Sequence, residues 1–119
     1  MRLTQIKGDT AVAQAVATFT RMGYDIALPL TESAAYDLIV DTGKRLERVQ
    51  VKYSTNGEVD LRRIHSNSSG YVIKKTKEGA YDWLYILNGE NEEYVVKECL
   101  VGRRAIKPGA KHNIKFFKK

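Results

Sequence analysis

The chain has 119 residues, 43% hydrophobic and 29% charged, enough for a single domain (1–119) with its own core. No apolar run approaches the roughly 18 residues that span a bilayer, and no apolar stretch follows the charged N-terminus as a secretory signal would, so an intracellular, non-secreted protein of the cytoplasm or nucleoid is expected. A net charge of +6 favours a polyanionic partner, and the single cysteine, Cys99, excludes an internal disulfide or a thiolate metal cluster.

In chain order, the first expected element is an amphipathic helix from Asp9 to Met22. Val12, Val16 and Phe19 recur at helical spacing, Asp9 or Thr10 can cap the first amides, and Gly23 suits a left-handed C-terminal position. YDIALPL then reads as a short strand that Pro29 ends, and TESAAY as a loop. YDLIVDTGKRLERVQVKY reads as a β-hairpin turning at Asp41–Gly43, with Val49, Val51 and Tyr53 on one face and Arg48, Gln50 and Lys52 on the other. EVDLRRI is a further candidate strand and HSNSSG a polar loop. YVIKKT reads as extended, DWLYIL as a buried strand, and GENEE as the turn into YVVKECLV. NIKFF is a candidate last strand, and TKEGAYDW or KECLVGRR could add a turn or two of helix. This order predicts an α+β domain, with one mainly antiparallel sheet and the N-terminal helix packed on it.

Charge is unevenly spread. After Glu98 there is no acidic residue, while Arg103, Arg104, Lys107, Lys111, Lys115, Lys118 and Lys119 form a basic C-terminal segment over about 103–119. Arg62, Arg63, Ser66, Asn67, Ser68, Lys74 and Lys75 combine cations with small hydrogen-bond donors, a composition suited to DNA phosphates and base edges; a solvated hairpin loop is the plain alternative. His65 and His112 have no companions at zinc-ligand spacing, which favours loop or DNA-contacting roles.

If the hairpin closes at Asp41–Gly43, Asp37 comes close to the Gln50–Lys52 segment at the far end. A carboxylate, an amide oxygen and the Val51 carbonyl are hard ligands suited to Mg²⁺, with Mn²⁺ as a substitute. Lys52 adds a point charge able to hold a phosphate oxygen or orient a water. Together these groups fit metal-assisted phosphodiester hydrolysis, with an exposed Asp37–Lys52 ion pair as the alternative.

The Asp37…Gln50-Val51-Lys52 arrangement resembles the core motif of the PD-(D/E)XK nucleases, with Gln50 in place of the second acid. Lys7-Gly8-Asp9, Gly23-Tyr24, Pro29-Leu30, Tyr36-Asp37-Leu38 and Val49-Gln50-Val51-Lys52 occur in the order found in the family that includes a group I intron-encoded homing endonuclease. The resemblance implies a restriction-endonuclease-like fold, with Asp37 as metal ligand, Gln50 as second ligand or water-orienting group, and Lys52 as catalytic lysine. It implies a Mg²⁺-dependent DNA endonuclease, of homing type and acting as a homo-oligomer (dimer or tetramer) on double-stranded DNA. A Holliday-junction resolvase-like nuclease and a catalytically impaired DNA-binding module are the alternatives on the same fold. Many members carry a glutamate on the first helix where this chain has Val12, so Asp9 or Glu32 would have to substitute for it.

Overall fold

The computed structural model describes residues 3–67, 70–74 and 76–119, with 63–67 and 70–74 described by their backbone alone. The elements are α1 (Leu3–Arg21), β1 (Asp25–Ala27), β2 (Leu38–Asp41), β3 (Leu46–Ser54), β4 (Val59–Asp60), β5 (Arg63–Asn67), β6 (Gly70–Lys74), β7 (Trp83–Asn88), β8 (Glu93–Val96) and β9 (Ala105–Ile106).

Helix α1 starts well before Asp9, because nothing in LTQIKG breaks a helix. Asp9 and Thr10 therefore lie inside it and cap nothing, and the Thr10 hydroxyl donates to the Ile6 carbonyl at 2.7 Å. Its buried stripe is Ala11, Ala15, Thr18 and Phe19, while Val12 and Val16 are half-buried at the border. The stripe is rotated from the expected Val12–Val16–Phe19 face because two methyl side chains let the helix backbone approach the sheet closely. The C-terminus behaves as expected. Gly23, at φ 91°, donates to the Thr20 carbonyl (2.9 Å) and Tyr24 to that of Phe19 (3.2 Å), closing a Schellman motif.

The main sheet has the order β1-β2-β3-β7-β8. Three of its pairings are antiparallel, and the remaining one, β3 with β7, is parallel. The predicted β2–β3 hairpin forms, its turn held by the Gly43 amide donating to Asp41 Oδ1 at 2.9 Å and by Gly43 at φ 86°. Strand β7, an interior strand, is buried on both faces. Trp83, Tyr85 and Leu87 face α1, Val49 and Val51 in one core, and Leu84 and Ile86 face a second core with Val59, Leu61, Tyr81, Val96, Leu100 and Ile106.

Three segments differ from the sequence expectation. His65-Ser66-Asn67, expected in a loop, belongs to β5, which pairs antiparallel with β6. NIKFF forms no strand: two short 3₁₀ turns, Ala110–His112 and Ile114–Phe116, follow one another against β8, joined to it by an Asn113–Tyr94 bridge. No second α-helix forms among the described residues; TKEGAYDW and KECLVGRR instead turn at Gly79 (φ 75°) and Gly102 (φ 71°). The β4–β9 pair covers the second face of the sheet in place of a helix.

Candidate functional site

The hairpin register decides the site. Strand β2 begins at Leu38, opposite Val49, so no β2 residue remains to pair with Val51. The chain turns aside at Asp37, whose amide donates to the Val49 carbonyl at 2.8 Å and whose Oδ2 accepts the Val51 N–H at 2.7 Å. The carboxylate thus takes the place of a strand partner. Gln50 closes the group, with its Nε2 donating to Asp37 Oδ2 at 3.0 Å and lying 3.5 Å from the Val51 carbonyl oxygen. Two oxygens, one anionic, converge on a single electropositive group.

Gln50 and Lys52 share one face of β3 because side chains alternate along a strand. Both line a cavity of ≈ 300 Å³ walled by Ala35, Leu61, Tyr81 and the loop 76–80. Arg48, on the same face, braces that loop: its guanidinium donates to both carboxylate oxygens of Asp82 (3.2 Å each) and to the Gly79 carbonyl (2.7 Å), while its amide donates to Asp82 Oδ2 (2.8 Å). These hydrogen bonds hold the Asp82 carboxyl below, and the Arg48 guanidinium above, their ordinary ranges. On the rim, Arg62 forks onto Asp60 (3.1 and 2.9 Å) and lowers its carboxyl to about 2, with a smaller contribution from the nearby Lys52 charge.

Asp37, Gln50 and Val51 therefore meet in direct contact, and Lys52 shares a cavity wall with Gln50. Val12 packs at the border of the α1 core, and Asp9 and Glu32 are exposed and do not line the cavity. Arg62 is committed to Asp60, a local pairing that residue type alone did not suggest. Of the expected DNA contacts, Ser68 and Lys75 lie outside the described residues, as do the side chains of Arg63, Ser66, Asn67 and Lys74. Sequence reasoning missed the cavity-lining Lys77, Glu78 and Tyr81, because TKEGAY carries no periodic or spacing signal. The shared face of Arg48, Gln50 and Lys52 was the one clue to the Arg48 brace.

A family model for PD-(D/E)XK endonucleases matches residues 2–103. The chain belongs to the PD-(D/E)XK endonuclease family. Among solved structures, this endonuclease is similar to a bacterial homing endonuclease, I-Ssp6803I, with a TM-score of 0.78 and 26% identity over 91% of this chain and 79% of that one. No curated protein matches it. Its mixed fold, one helix on a mostly antiparallel five-stranded sheet, is that of the family. Among the described residues, no three His, Cys, Asp or Glu side chains group as a metal cage, and no helix is long and apolar enough to cross a membrane.

Proposed function

We propose that this nuclease is a Mg²⁺-dependent, homing-type DNA endonuclease that cuts both strands as a homo-oligomer. The observation that carries the proposal is the contact of Asp37 with Gln50 and the Val51 backbone, next to the cavity that Gln50 and Lys52 line together. The donor set fits a hard divalent cation: Asp37 Oδ2 and the Val51 carbonyl already flank the Gln50 amide nitrogen, and the other end of that amide is an oxygen ligand. Asp37, Gln50 and the Val51 carbonyl would hold the ion. When bound, Mg²⁺ would lower the pKa of a water and neutralise charge on the phosphate.

The chain's own groups do the rest. Lys52 holds a non-bridging phosphate oxygen or orients the attacking water from the cavity wall. Asp37, fixed by the Val51 N–H, keeps its carboxylate aimed at the same point. The Arg48–Asp82–Gly79 brace keeps the opposite wall in place. Arg62, Arg63, Ser66, Asn67, Ser68, Lys74 and Lys75 contact the DNA, with Arg62 exchanging Asp60 for phosphate. One cavity of this kind serves one strand, so cutting a duplex takes two copies; the similarity to a bacterial homing endonuclease supports the homing-type reading.

A second reading has one observation in its favour. Val12 is apolar and packs at the core border, leaving Asp37 the only carboxylate of the proposed ligand set, which fits a catalytically impaired DNA-binding module. Incubating supercoiled plasmid and four-way junction DNA with Mg²⁺ or Mn²⁺ separates the possibilities. Linear plasmid cut at a discrete position is the expected product; cutting of junctions alone would make the protein a resolvase, and binding without any cutting an impaired module.

A further inference from the structure

On the α1 face of the sheet, at the β8 edge, the C-terminal 3₁₀ turns leave a groove of ≈ 260 Å³. Lys97, Lys111 and Lys118 line it together with Val95, Phe116 and Phe117, and no acidic side chain does so among the described residues. Lys97 is held in place: its Nζ donates to the Lys118 carbonyl at 2.6 Å and stands 4.2 Å from the Phe117 ring centroid and 5.4 Å from that of Trp83. Phe117 in turn meets Trp83 edge-on at 5.5 Å and packs against the α1 core, which gives the groove an apolar floor. Phe116 is different, being 57% exposed, with Lys115 Nζ 5.3 Å from its ring centroid.

We infer that this groove is a second nucleic-acid site, one that takes single-stranded DNA. Lysines alone would suit any phosphate backbone, double- or single-stranded. An exposed aromatic ring among them selects for unpaired bases, since only a base out of the duplex stack offers its face to a side chain. Location points the same way. Val95 and Phe117 lie on the α1 face, whereas Gln50 and Lys52 project from the opposite face. A duplex seated at the catalytic cavity would not run through the groove, so the groove serves a separate strand. The inference does not depend on the cleavage chemistry.

Binding by the full chain, measured in chelator so that nothing is cut, tests it. A labelled oligothymidylate should bind about tenfold more tightly than an abasic oligomer of equal length, with a change in emission from Trp83, the only tryptophan, which lies beneath Phe117 and Lys97. Phe116→Ala should abolish the preference for bases, and Lys111→Ala should weaken binding of both oligomers. Both side chains are exposed, so the fold should tolerate either change, and plasmid nicking should be unaffected. Equal affinity of wild-type protein for the two oligomers would overturn the inference, as would a preference that survives Phe116→Ala. An equal loss of duplex binding in both variants would make the groove a duplex contact and overturn it as well. Absence of nicking with Mg²⁺ would count against the proposed nuclease mechanism alone, because the groove is read without metal.

Discussion

Lys52 and Asp37 can be separated by what each substitution leaves behind. Lys52→Ala removes one charge among many DNA contacts, so plasmid nicking should be lost while the melting temperature and duplex affinity stay nearly unchanged. Cleavage at the wild-type rate would refute the role given to Lys52. Asp37→Asn keeps an oxygen able to accept the Val51 N–H, so the hairpin should survive. The variant loses the anionic ligand, and calorimetry should show weaker Mg²⁺ binding together with lost activity. Unchanged metal affinity would mean that Asp37 is a hairpin anchor and no more. At this scale the sequence was informative about which groups meet, because strand alternation and a two-residue spacing are local properties. The amide direction of Gln50 was not legible, since it depends on where the Asp37 oxygen lies once the strands pair.

Among the elements, the loop over 76–82 is held to β3 by long-range ties from Arg48. Its Asp82 carboxylate accepts from the Arg48 amide and guanidinium, which keeps its pKa below the ordinary 3.8. A depressed carboxyl stabilises the fold above the pKa of the unfolded chain, and that contribution is lost as pH falls through the folded value. Thermal melts between about pH 5 and about pH 2 should therefore fall more steeply for wild type than for Asp82→Asn. The variant should also be less stable at neutral pH by about 1 kcal/mol, the worth of a partly exposed charged hydrogen bond. Asp60, lowered to about 2 by Arg62, supplies a second acid-dependent contribution that remains in the variant. Parallel acid profiles for the two proteins would show that Asp82 contributes nothing to the tie.

At the level of the whole molecule, the net charge of +6 predicts duplex binding dominated by phosphate contacts. Log affinity should fall linearly with log salt concentration, with a slope of about −0.9 for each phosphate neutralised. Arg62→Ala frees Asp60 and removes a cation, so it should weaken binding and flatten that slope. A salt-independent affinity would argue against DNA as the partner.

The sequence by itself determined the presence of the first helix and its glycine stop, though not its start, together with the hairpin, the buried β7, and the meeting of Asp37 with Gln50 and Val51. These follow from periodicity, turn chemistry and alternation, which act over a few residues. Tertiary structure alone decided that Ala11 and Ala15, rather than Val12 and Val16, take the centre of the helix contact, because closeness of approach depends on the surface opposite. It decided that β3 pairs parallel with β7, a choice carried by residues more than thirty positions apart. It also decided that NIKFF turns as 3₁₀ against β8. Its apolar residues would have served a strand equally well, but Ile114 and Phe117 pack onto the α1 core instead.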